Sequence, residues 1–214
     1  MNKKLVAIPI VASIALVLTV FSTMSFPEDK SESTELYHNT FLYSDTEKLK
    51  RFLSTLDVFM SEPVVIFDDT VNHYCTYVDL EGNEKISDYC VTSALTDSNH
   101  KPFGNLNMGG DDSAVPQMVL AIVDSSPFVD SKKNEVRQVF TTMIETLVCD
   151  CWEEQQPGGF ESISDWLDTA EDRYVESGKT TLSSKISGLD QKQLILEITL
   201  KDSDYLWTLI ILNS

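Results

Sequence analysis

Residues 180–212 read TTLSSKISGLDQKQLILEITLKDSDYLWTLIIL, and three segments of this stretch are suited to β structure. Leu194, Leu196, Ile198 and Leu200 fall at every second position, the period at which side chains return to one face of a strand. Trp207 to Leu212 is apolar nearly throughout, as expected of a strand that is central or covered on both faces. With Thr180 to Ile186 these segments predict three strands joined by polar turns, a terminal antiparallel meander.

Upstream the period changes. Val136, Val139, Phe140, Met143, Ile144, Leu147, Val148, Cys151 and Trp152 lie on one stripe of a helix that starts near Ser131, with Pro157-Gly158-Gly159 as its stop. Ser162 with Asp165 opens a second helix, whose apolar face is Ile163, Trp166, Leu167, Ala170 and Tyr174 and whose stop is Gly178. Met118 to Val123 is a continuous apolar run that fits a strand buried on both faces or a helical turn.

Before that run, Thr92 to Pro116 is dominated by Ser, Asp, Asn and Gly and is expected to be a long irregular loop. Tyr74 to Leu80 and Lys85 to Val91 flank the turn residues Glu81-Gly82-Asn83-Glu84 and predict a β-hairpin. Val64 to Phe67 predicts a short strand. Ser44 with Glu47 has the spacing of a capping box, and Leu49, Phe52, Leu53 and Leu56 extend a helix to about Met60.

The predicted fold class is α+β: an antiparallel sheet with two central helices packed on it, preceded by an N-terminal transmembrane or signal helix. Residues 1–26 are the signal peptide or membrane anchor, 27–43 a tether, and 44–214 a single extracytoplasmic domain. The order of paired strands, helices and three further strands resembles in outline the extracytoplasmic PAS-like sensor folds, in topology alone and without a shared motif. That resemblance implies a ligand pocket between sheet and helices.

The exported topology rests on Lys3 and Lys4 followed by Leu5 to Phe26 without a charge. In hydrocarbon the backbone must satisfy its own hydrogen bonds, which makes such a segment helical. The flanking lysines stay on the cytoplasmic side and send the remaining chain outward. The run approaches the length needed to span, and Ser22-Thr23-Met24-Ser25-Phe26 lacks an Ala-x-Ala exit, which favours an uncleaved single-pass anchor over a secreted form.

Of 214 residues 34 are acidic and 16 basic, a formal charge of −18. A surface of that sign repels phosphate backbones, so nucleic acid is excluded as a partner. It leaves solubility, a small ligand, a cation or a basic protein as what the charge serves. The sequence does not specify the oligomeric state.

All four cysteines follow the anchor, in a compartment that permits disulfides. If the hairpin loop is Glu81 to Glu84, Cys75 sits directly across from Cys90, at a separation a disulfide can bridge. Cys149 and Cys151 would point about 200° apart on an intact helix. Either the helix frays there and they pair locally, or each reaches a different strand. A redox or soft-metal pair is disfavoured, because Cys-Asp-Cys lacks Cys-x-x-Cys spacing and acidic neighbours raise a thiol pKa.

No residue is assigned as catalytic, cofactor-binding or metal-ligating. His38, His73 and His100 are far apart, and neither His-Glu-x-x-His nor Gly-x-Ser-x-Gly occurs. Gly104 to Gly110 has the glycine spacing of a phosphate loop, but Asp111 and Asp112 stand where phosphate needs positive charge. The glycines either let an exposed loop turn tightly, or Asn105, Asn107 and the amides of Gly109 and Gly110 line a small polar site with Asp111 or Asp112 holding a cation. The functional expectation is a membrane-tethered or secreted binding or accessory module, with an extracellular hydrolase and an envelope structural subunit as alternatives.

Overall fold

The computed structural model describes residues 40–67, 70–78 and 83–213. Their architecture is α+β, and the sheet pairings among them are antiparallel. The segment Leu5 to Phe26 and most of the tether lie outside the described residues. No helix within them is long and apolar enough to cross a membrane.

The meander read from residues 180–212 is present as β8 (Thr181–Leu189), β9 (Lys192–Lys201) and β10 (Asp204–Asn213). Its turns are tight because Asp190 and Gln191, then Asp202 and Ser203, all take positive φ, the geometry that matches strand twist in a two-residue hairpin. The segment Met118 to Val123 is a strand, β7 (Met118–Asp124), and it pairs with β10 with Ile210 opposite Leu120. β10 is therefore central, with Trp207 and Leu209 to Leu212 all buried.

Most of the expected loop over 92–116 is instead two strands and a hairpin turn, and only 111–116 remain irregular. β5 (Tyr89–Thr96) and β6 (Pro102–Gly110) pair with each other, and β6 pairs with β7. Composition misled because β propensity reflects packing more than backbone preference. Val91, Leu95, Leu106 and Met108 are buried; Ser93, opposite Leu106, is buried with them, while Thr92 and Asn107 pair on the opposite face. Asp97 closes the turn by accepting the amides of Asn99 and Lys101 at 2.8 and 2.9 Å.

The sheet has eight strands in the order β1-β5-β6-β7-β10-β9-β8, and β2 pairs with the same strand as β1. β1 (Phe59–Met60) and β2 (Val64–Ile66) divide the edge of β5 between them. The predicted helix to Met60 ends earlier, as α1 (Asp45–Ser54), and Asp57 at φ 60° turns the chain into β1. Its capping box is not formed: Ser44 is already helical and its hydroxyl caps nothing, while the Asp45 carboxylate accepts the Leu42 amide at 2.7 Å. Phe41, assigned to the tether, is 2% exposed and packs into the core.

Between the meanders run α3 (Lys133–Leu147), α4 (Trp152–Gln155) and α5 (Ile163–Ser177); with α1 and the short α2 (Val71–Tyr74) the described residues hold five α-helices. α5 obeys its signals: Ser162 Oγ accepts the Asp165 amide at 3.1 Å, and Gly178 is left-handed. Phe140, Met143 and Ile144 of α3 and Trp166, Leu167 and Ala170 of α5 share one buried cluster with Val119, Leu196, Ile198, Trp207 and Leu209 of the sheet. These side chains of both layers meet between sheet and helices, where the resemblance implied a pocket.

The other sheet face is covered in part by α2 and the hairpin of β3 (Thr76–Val78) and β4 (Glu84–Ile86). Val71, Cys75 and Tyr77 pack there on Met118, Leu120, Ile195 and Ile210. The hairpin is real, but its register pairs Thr76 with Ile86, and the Ser87 amide donates to Cys75 O at 3.1 Å. Cys75 therefore faces Ser87 in the hairpin. Its disulfide to Cys90 runs from the flap down to β5, with the Cα atoms 6.0 Å apart. The pairing stands on a different geometry from the one expected.

Candidate functional site

α3 ends at Leu147 although its apolar stripe continues. Cys149 and Cys151 are disulfide-bonded with Cα atoms 5.2 Å apart, the local pairing that a frayed helix end permits. Beyond the break the chain is helical again in α4, and a turn at Pro157–Gly159 leads to the Ser162 cap of α5. The end of α3, the disulfide, α4 and the first turn of α5 enclose an open cleft of about 380 Å³.

Four carboxylates line it: Glu145 from α3, Asp150 from the break, and Glu153 and Glu154 from α4. No lysine or arginine is among the lining residues described. Glu145 has its pKa raised, first by desolvation and then by the negative charge of Asp150. Trp152 also lines the cleft, is 4% exposed, and stacks near Trp166 with ring centroids 5.7 Å apart. Its indole N–H finds no acceptor among the described residues. By contrast Trp166 donates to Ser184 Oγ at 2.8 Å and Trp207 to Val129 O at 3.0 Å.

Chemically the cleft favours a cation, because unopposed carboxylates gain most from a group that neutralises them. Among the described residues no group of three or more His, Cys, Asp or Glu side chains is disposed to hold a metal ion. A smaller cavity of about 300 Å³ beside α1 is lined by both charges, Glu47 against Lys50 and Arg51, and has no such preference.

The residues singled out on composition lie elsewhere. Asn105 and Asn107 are together on β6, and Asn107 Oδ1 accepts from Thr92 Oγ1 at 2.6 Å and from Asn105 Nδ2 at 2.9 Å. Gly109 and Gly110 are paired with Cys90 and Tyr89 in the sheet. Asp111 Oδ2 accepts from Gln117 Nε2 at 2.7 Å, and Asp112 Oδ1 accepts the Ala114 amide at 2.7 Å, so both carboxylates brace the β6–β7 turn. The acidic cleft was not singled out in the sequence, although its signal was there: four acids between residues 145 and 154, around the one Cys-x-Cys in the chain.

Comparison with known proteins assigns no family: no protein-family model matches the chain, and no curated protein or solved structure is significantly similar to it.

Proposed function

We propose that this chain is an exported, non-catalytic binding module, tethered to the cell membrane through residues 5–26, that takes a basic partner in its acidic cleft. The observation that carries this reading is the convergence of Glu145, Asp150, Glu153 and Glu154 on one cavity without a lining cation. Two disulfides among the described residues support an oxidising compartment. In this reading α3 and α5 are the two central helices that hold the cleft on the sheet. The partner presents a lysine or arginine side chain, which enters beside Trp152 and is held by charge-assisted hydrogen bonds.

The experiment is a thermal melt of the full-length chain in detergent micelles with tetralysine peptide or spermidine added at low ionic strength. Both probes are expected to raise Tm in the wild type, tetralysine more, and neither in Glu145→Gln/Glu153→Gln/Glu154→Gln. Absence of a shift with either probe, or an equal shift in the triple variant, would remove the reading. A shift with spermidine alone would point to a free polyamine instead of a protein partner.

A further inference from the structure

From Val136 to Trp152 the chain carries one helical stripe with no glycine or proline inside it, yet the helix stops at Leu147 and restarts at Trp152. The break coincides with the Cys149–Cys151 bond. On a helix those two side chains would diverge by about 200°, so the bond and a continuous helix exclude each other. The backbone shows the consequence: Val148 sits at φ −111°, ψ −81° and Cys151 at φ −122°, ψ 7°, both outside the helical region. The break coincides with a covalent bond and not with a helix-breaking residue.

The two disulfides differ in what they do. Cys75 and Cys90 are 0% exposed and close a sequence separation of 15, which constrains the unfolded chain substantially. Cys149 and Cys151 are partly exposed, close a separation of 2, and Cys149 lines the cleft. So short a loop removes the least chain entropy. Gln155 Nε2 donates to Cys151 Sγ at 3.2 Å, which favours charge on that sulfur if the bond opens.

We propose that Cys149–Cys151 is a thiol–disulfide exchange site reduced by a dithiol partner, and that its reduction joins α3 to α4 and remodels the acidic cleft. The last clause rests on the cleft being a binding site; the exchange and the helix joining do not. A thiolate of the partner attacks Cys149 Sγ, the Cys149–Cys151 bond breaks, and its electron pair leaves on Cys151 Sγ, which takes a proton. The partner's second thiol then resolves the mixed disulfide, and Cys149 leaves with an electron pair and takes the second proton. Two electrons and two protons pass to this protein, and the partner ends as a disulfide. Glu145, Asp150, Glu153 and Glu154 repel the incoming thiolate, so the site selects a dithiol of low charge, and exchange speeds up with salt.

Two measurements on the full-length chain in micelles test this. With graded dithiothreitol followed by alkylation and mass spectrometry, Cys149 and Cys151 are expected to be labelled at least about tenfold faster than Cys75 and Cys90, and faster still at high ionic strength. Backbone Cα chemical shifts of residues 148–151 are expected to become helical in that reduced state and equally in Cys149→Ser/Cys151→Ser. Equal labelling of all four cysteines overturns the exchange site, and unchanged shifts in both reduced forms overturn the remodelling. Tetralysine binding then separates the two proposals. Binding that differs between oxidised chain and double variant supports both, equal binding overturns the link to the cleft, and no binding by either form overturns the cation site while leaving the redox result to stand by itself.

Discussion

Glu145 carries a charge that its surroundings oppose. Burial raises its pKa and Asp150 adds to the effect, so the folded state holds the proton more tightly than the unfolded chain does. A carboxyl group with a raised folded pKa contributes stability at low pH, and that contribution is lost as pH rises from the unfolded value through the folded one. Glu145→Gln is therefore expected to raise the melting temperature slightly at neutral pH and to make no difference at pH 3, as calorimetry at the two pH values would show. Gly104 is constrained by space instead. A Cβ there would overlap the carbonyl oxygen of Ile122 and lie 3.3 Å from Val123 Cα, and the paired backbone cannot move aside. Gly104→Ala should cost about 1–3 kcal/mol in urea denaturation, the usual range for overpacking a tight site.

Among the helices read from the sequence, α5 matched its signals most fully and α1 only in part. Both begin with a Ser-x-x-acid signal, but only Ser162 has the extended backbone that lets its hydroxyl reach back to the Asp165 amide. Ser44 was drawn into a helical turn by the docking of Phe41 and Tyr43, a tertiary effect. Accordingly Ser162→Ala should lose about 1 kcal/mol in chemical denaturation, whereas Ser44→Ala should be close to neutral. The strands β5 and β6 went unseen because the core-side apolar residues Leu95, Phe103, Leu106 and Met108 are interleaved with polar ones, and Thr92, Asn105 and Asn107 bond to one another on the other face. The helix break after Leu147 was legible only as a conflict between a continuous stripe and two cysteines it would separate.

At the scale of the whole molecule the Cys75–Cys90 bond fastens the flap to the sheet over Met118, Leu120 and Ile210. Replacing both cysteines by alanine should lower stability by about 3 kcal/mol, the loop-closure contribution for a loop of this size, with loss of hydrogen-exchange protection first in α2, β3 and β4. The sequence by itself determined the α+β class, the terminal meander, the span of α5 and the negative field, since these follow from local periodicity, caps and composition. Only the tertiary structure decided that a polar stretch pairs as β5 and β6, that Cys75 reaches Cys90 across layers, and that four acids meet at one cleft. Those outcomes depend on which distant residues come to share a face, and neither period nor propensity encodes that along the chain.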